Sequence, residues 1–269
     1  MLALFTTIFS LIVTILICYY LKVNWYFYIL IYIATYIISV ILTVGFCYIL
    51  AILLEKKNGE IIKPKRIFNY LTFIICKYVM LVSNIRVKKI GFEEVEDKEF
   101  LLVSNHQSMM DPLTIIASLP NIGLGFIMRE NILKIPVIGR FLVSAGFFPI
   151  NRENNREGLK TIIKATHRLE NGSPVGVFPE GTRSKGPELG SFREGTFKIS
   201  LRSKKDILVV AIDNEYNIHE NAPFKRTNVS LINCGRLKYE DIKDMNTTEI
   251  SEKVHLMMEE GLEKIRMCK

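Results

Sequence analysis

Charge is almost absent from the first 54 residues of this chain. Lys22 is the single charged side chain there, and the other 34 of 35 Lys and Arg residues and all 27 Asp and Glu lie between 55 and 269. Leu2 to Leu21 is a run of 20 uncharged residues, Lys22-Val23-Asn24 interrupts it, and Trp25 to Leu54 gives 30 more. A bilayer core takes about 20 helical residues to cross. The first run is just long enough and the second is ample, with room for tilt. Trp25, Tyr26 and Tyr28 follow the interruption, where an interfacial aromatic belt would sit. Lys56, Lys57, Lys63, Lys65 and Arg66 come next, and the positive-inside rule assigns them to the cytoplasmic side. The expectation is a helical hairpin that crosses or re-enters the bilayer with both ends at the cytoplasm. A cleavable signal peptide would need a basic start and a small-residue cleavage site, and residues 1–21 have neither.

Averages over the chain hide this division. The net charge of +8 and the hydrophobic content of 49% exclude intrinsic disorder, but they belong to different segments. The organisation read here is an anchor over 1–54, an interfacial helix or connector over 55–84, and a basic globular domain over 85–269. The apolar stretch 67–82 carries Asn69 and Lys77, so it suits an interfacial helix or a core helix equally. The five cysteines have no CxxC spacing and read as small buried hydrophobes, with no metal site. Nucleic-acid binding is excluded by the anchor and the lack of a binding motif.

After residue 84, β-like apolar runs alternate with helical patterns. Strands are expected at Ile85–Ile90, Phe100–Ser104, Leu124–Met128, Phe147–Ile150, Val175–Phe178, Ile207–Ile212 and Val229–Asn233. Helices are expected at Pro112–Ser118, Ile138–Ala145, Arg156–Asn171, Phe192–Ser203 and Thr248–Met267. The alternation predicts an α/β fold with a largely parallel sheet flanked by helices. Sites in such folds form beyond the carboxyl ends of strands, so those segments carry the functional question.

Three of them hold unusual chemistry. Asn105-His106-Gln107-Ser108-Met109-Met110-Asp111 follows one strand, Asn151-Arg152 another, and Pro179-Glu180-Gly181-Thr182-Arg183-Ser184 a third. His106 and Asp111 share no face of a regular helix or strand, but a strand-to-helix turn brings such residues together. Asp111-Pro112 supports a helix start there. Two readings stand at this point. Asp111 caps a helix beside a loop histidine, or it orients an imidazole that abstracts a proton. Gly181 allows a sharp turn with exposed amides, and Arg183 offers a planar fork for phosphate. Glu180 can hold that guanidinium or a substrate hydroxyl. Arg152 is a phosphate candidate or a solvated charge. Basic residues between 193 and 205 (Arg193, Lys198, Arg202, Lys204, Lys205) face anionic headgroups or plain solvent.

Together the segments resemble the 1-acylglycerol-3-phosphate acyltransferase family. His106 to Asp111 matches its NHxxxxD motif, Gly146 to Arg152 its second block, Phe178 to Ser184 (FPEGTRS) its third, and Leu208 to Ile212 its fourth; Phe192 to Phe197 resembles the helix start after the third. Ala211 stands where the family usually has proline, and Arg129 and Asn131 where it has Lys and Glu. The resemblance implies a membrane-bound acyltransferase. A fatty acyl group would pass from acyl-CoA or acyl carrier protein to the sn-2 hydroxyl of lysophosphatidic acid, forming phosphatidic acid with no cofactor or metal. Catalytic roles would fall to His106 and Asp111, and substrate binding to Arg152, Glu180, Gly181, Thr182 and Arg183. The implied location is the cell membrane, with the catalytic domain on the cytoplasmic face and membrane lipids as partners. Another acceptor, such as glycerol 3-phosphate, a lysophospholipid or an aminolipid, or water as in a thioester hydrolase, remains open.

Overall fold

The computed structural model describes residues 2–54, 66–93, 95, 99–120, 122–135, 138–151 and 154–267. Helix α1 (Leu2–Leu21) and helix α2 (Tyr28–Leu54) are joined by a tight turn, in which Lys22 adopts a positive φ of 47°, and by a 3-10 turn at Trp25–Phe27. Within the described residues, one helix, over Trp25–Thr43, is long and apolar enough to cross a membrane, and Thr6–Leu21 forms a shorter apolar helix. The two helices pack through a hydroxyl seam. Thr6, Ser10 and Thr14 recur at four-residue spacing on α1, as do Thr35, Ser39 and Thr43 on α2, and Thr14 and Thr35 share a 2.9 Å hydrogen bond. Small hydroxylated residues let helices approach closely without a hydrophobic driving force.

Helix α3 (Arg66–Val82) follows, then β1 (Ile85–Ile90), β2 (Phe100–Ser104), α4 (Asp111–Ser118), β3 (Gly125–Arg129), α5 (Ile138–Ser144) and β4 (Phe148–Ile150). The chain continues with α6 (Asn155–Glu170), β5 (Val175–Val177), α7 (Lys198–Ser203), β6 (Asp206–Asp213), α8 (Ile218–Asn221), β7 (Thr227–Leu237), α9 (Tyr239–Ile242) and α10 (Thr247–Met267). Phe68, Thr72, Cys76 and Met80 give α3 a buried stripe against the core, while Leu81 and Val82 at its end are exposed.

The strands form one seven-stranded sheet in the order β1-β7-β6-β2-β5-β3-β4. β6, β2, β5, β3 and β4 are parallel, β7 is antiparallel to β6, and β1 is parallel to β7. The largely parallel α/β expectation therefore holds. β2 is buried at all five positions because helices cover both faces, which is why it reads as a continuous apolar run. Phe100 and Leu102 enter the core shared with α3, α4 and α5, whereas Leu101 and Val103 enter the core shared with α6, α7 and α10.

Two differences from the sequence expectation have local causes. The helix expected from Phe192 begins as a 3-10 turn at Glu194–Phe197 and becomes α-helical at Lys198, because Arg193 is extended and its amide donates to Pro179 O at 2.8 Å. β7 is longer than expected, and its register against β6 shifts between Val209 and Val210, opposite Gly235 at φ 126°. A glycine supports that bulge without steric cost.

Candidate active site

β2 ends at Ser104, and the next residues turn sharply into α4. Asn105 fixes the turn to the neighbouring strand. Its side-chain amide donates to Ile212 O at 2.9 Å, and its oxygen accepts from Ile212 N at 2.8 Å. His106 Nδ1 then lies 2.6 Å from Asp111 Oδ2. Asp111 is the first residue of α4, with Pro112 behind it, and its carboxylate folds back to accept from the amides of Gln107 (2.6 Å) and Ser108 (2.9 Å). The sequence offered a cap or an orienting group. The geometry makes Asp111 the brace of the turn that carries His106.

The third block closes over this turn. Ser184 N donates to His106 O at 2.8 Å, and His106 N donates to Glu180 Oε1 at 2.7 Å. The other Glu180 oxygen accepts from Gly190 N at 3.1 Å. Glu180 thus holds two backbone amides, a bracing role that the sequence did not suggest beside the expected one toward Arg183 or a substrate hydroxyl. Burial raises its carboxyl above the usual range, and the two amide bonds oppose this. Gly181 takes φ 70°, and a Cβ there would meet Arg193 Nε at 2.6 Å. The His106 ring stacks on Phe178 at 4.2 Å, and Phe178 stacks on Phe126 at 5.0 Å.

An apolar cavity of about 1000 Å³ opens at this point. His106, Met109, Thr182, Arg183, Arg129 and Lys185 line it, together with α3, α5 and the hairpin residues Thr6, Val40 and Thr43. His106 is 15% exposed and Asp111 fully buried, so the imidazole alone of the pair reaches the cavity. Of the residues singled out by sequence, His106, Thr182 and Arg183 meet in one space, with Asp111 and Glu180 supporting them from behind. Arg152 lies outside the described residues.

Sequence reasoning missed a second buried acid. Glu215 is fully buried, accepts from the Thr114 hydroxyl on α4, and donates its amide to Gln107 Oε1 at 3.1 Å. It interacts directly with Asp111, and burial raises both carboxyls, Asp111 from 3.8 to about 8 and Glu215 well above its usual value. Two adjacent carboxyls out of water do not ionise together, so they hold a proton between them. Nothing in the sequence distinguishes Glu215 from the other 26 acids.

A histidine braced by a buried acid at the carboxyl edge of a parallel sheet, opening on an apolar cavity with a cationic rim, defines a site for group transfer to or from a long apolar anion. Residues 86–213 match the Acyltransferase family model. The chain is 28% identical over 152 residues to the 1-acyl-sn-glycerol-3-phosphate acyltransferase of Borreliella burgdorferi, covering 55% of this chain and 60% of that protein. It is 35% identical over 129 residues to the chloroplastic enzyme LPAT1 of Arabidopsis thaliana, covering 46% and 35%. The chain thus spans between about a third and three fifths of these curated relatives. The crystal structure of the 1-acyl-sn-glycerophosphate acyltransferase PlsC from Thermotoga maritima shares the fold, with a TM-score of 0.62 over 82% of this chain and 88% of that one at 23% identity.

Proposed function

We propose that the chain is a membrane-bound O-acyltransferase that moves a fatty acyl group from an acyl-CoA or acyl carrier protein thioester to the sn-2 hydroxyl of lysophosphatidic acid. The observation that carries the reading is the His106–Asp111 pair, 2.6 Å apart, at the mouth of an apolar cavity rimmed by Arg183. His106 Nε2 takes the hydroxyl proton as the oxygen attacks the thioester carbonyl, and Asp111 stabilises the imidazolium. The tetrahedral oxyanion collapses, the C–S bond breaks, and the proton returns from His106 to the leaving thiolate. No covalent enzyme intermediate and no cofactor enter this scheme.

The oxyanion needs donors that are not already engaged. The amides of His106, Gln107, Ser108, Gly181 and Ser184 all donate within the protein. Those of Thr182 and Arg183, at the cavity wall, have no acceptor among the described residues. They are the better candidates for that role, while the Arg183 guanidinium holds the substrate phosphate. The hairpin of α1 and α2 serves as the bilayer anchor and keeps the domain on the cytoplasmic face of the cell membrane. Both lipids then stay at the interface, which avoids a cost of about 0.8 kcal/mol per CH₂ moved into water.

The test is an assay of the membrane-embedded chain with labelled acyl donors against a panel of acceptors. Phosphatidic acid forms from lysophosphatidic acid, and His106→Ala abolishes it without loss of membrane association. Selective turnover of a non-phosphate acceptor, release of free fatty acid alone, or activity in His106→Ala overturns the assignment.

A further inference from the structure

The sheet has an edge where β2, β3, β4, β5 and β6 end and where His106 sits. β7 is antiparallel to β6, with Asp213 opposite Ser230, and β1 pairs with β7 from Ile85 opposite Thr227. The first residues of β1 and β7 therefore lie on that same edge. Thr227 N donates to Asn84 O at 3.1 Å, which holds the loop before β7 against the end of α3. This loop, Ala222 to Arg226, presents Phe224 at 96% exposure, flanked by exposed Lys225 and Arg226. Leu81 and Val82, at the end of α3, are 73% and 52% exposed.

Isolated exposed apolar residues need no explanation, but a nearly bare phenylalanine beside two cations is costly in water and suited to a bilayer interface. The position adds a second argument. Tyr36 of α2 and Tyr78 of α3 share a 2.9 Å hydrogen bond one turn before α3 ends. Beyond Tyr36 the hairpin is bare: Tyr19, Tyr20, Leu21, Trp25 and Ile29 are all exposed. The hairpin thus leaves the domain beside the end of α3, next to the Phe224 loop. At the start of β1 and between α8 and β7, the exposed charges Arg86, Lys225 and Arg226 outnumber Glu220.

The geometry points to a second membrane contact: the 222–226 loop inserts Phe224 at the surface of an anionic bilayer, with Lys225 and Arg226 on headgroup phosphates, next to the base of the hairpin. Together the hairpin and this loop fix the tilt of the domain and turn the mouth of the cavity, where Met109 and Arg183 sit, toward the lipid acceptor. This rests on the reading of the hairpin as the bilayer anchor.

Trp25 is the sole tryptophan of the chain, which makes depth measurable. The full-length protein is placed in phosphatidylglycerol–phosphatidylcholine vesicles carrying brominated lipids, with the label shallow or deep in the chains. In the Trp25→Phe/Phe224→Trp double variant, emission from the introduced indole shifts to the blue and is quenched by shallow labels more than by deep ones. Adding Lys225→Glu and Arg226→Glu removes most of that quenching, and Phe224→Ser raises the apparent KM for vesicle-borne acceptor roughly five-fold while leaving turnover in detergent micelles unchanged. Water-like, unquenched emission from the double variant, alongside a quenched Trp25 in the wild type, overturns the loop contact and leaves the anchor standing. If neither protein is quenched, the anchor reading falls and the loop contact with it. Quenching that ignores the charge reversal overturns the commitment to an anionic surface.

Discussion

Replacing Asp111 with asparagine separates what the buried carboxylate does for catalysis from what it does to stability. Oδ2 gathers the His106 Nδ1, the Gln107 amide and the Ser108 amide, while Oδ1 meets Ser108 N at 3.0 Å. An asparagine placed with its carbonyl oxygen at the Oδ2 position keeps all three donors and the imidazole tautomer. What it loses is the negative charge. A unit charge about 4 Å from the centre of an imidazolium, at an effective dielectric near 20, contributes about 4 kcal/mol. Lost from the transition state, that is about a thousand-fold in kcat. KM changes little, because Asp111 is fully buried and does not line the cavity.

Stability moves the other way. Burial raises the Asp111 carboxyl from 3.8 to about 8, against the pull of the two backbone amides. The folded state therefore holds that proton more tightly than the unfolded chain does. Its contribution is complete below the unfolded value and is lost as pH rises through about 8. The amide of the Asp111→Asn variant has no such proton to lose, so its Tm rises relative to wild type as pH climbs from about 5 to 9. Wild-type kcat/KM increases over the same window, because the working form of Asp111 is the anion. Thermal melts across that range and steady-state rates check both halves. A variant within ten-fold of wild-type kcat, or a Tm difference that stays flat or shrinks with rising pH, refutes the reasoning.

Glu215→Leu removes the acid that donates toward Asp111, so the acid limb of the pH–rate profile moves to higher pH, whereas Glu215→Gln keeps a donor and leaves the limb in place; equal profiles for both variants overturn the coupling. Gly176→Ala sets a Cβ 2.4 Å from the Phe126 ring, which stacks on Phe178 and through it on His106. Overpacking of this kind costs about 1–3 kcal/mol, so a calorimetric Tm lower by roughly 2–12 °C and a reduced kcat are expected together.

β2, buried at all five positions, announces itself as an apolar run, and β1, partly exposed, as Ile85 and Val87 alternating with charged Arg86 and Lys88; both were legible to the residue, and the other strands within a few positions. The boundaries that moved depend on single long-range bonds, such as Arg193 to Pro179, that no local pattern encodes. The site divides in the same way. His106, Asp111 and Arg183 were legible because a histidine, a helix-starting Asp-Pro and an arginine behind a Pro-Glu-Gly turn are unusual at strand ends. Glu180 was found, but its bonds to the backbone amides of His106 and Gly190 were not foreseen, since an acid beside an arginine suggests an ion pair. Glu215 was missed, and Asn105 was quoted in its motif without a role, because what each does depends on contacts with a segment about 100 positions away, a distance that hydrophobic periodicity does not span.

The cavity changes what the hairpin is for. A tether needs only to bind the bilayer, and its removal would leave a working soluble domain. Here Thr6, Val40 and Thr43 form part of the cavity wall, facing α3 and α5. Ile75 and Val79 of α3 and Phe141 of α5 line the same space, beside Ile138, which is already half exposed, and the apolar wall they form opens further to solvent once the hairpin is gone. A chain beginning at Glu55 is therefore expected to aggregate or to require detergent, and to lose acyl transfer even when lysophosphatidic acid is supplied in micelles. Gel filtration and a micellar assay decide the point. A monodisperse truncated chain with full micellar activity would mean that the hairpin only tethers, and that the acyl chain is held by the α/β domain alone.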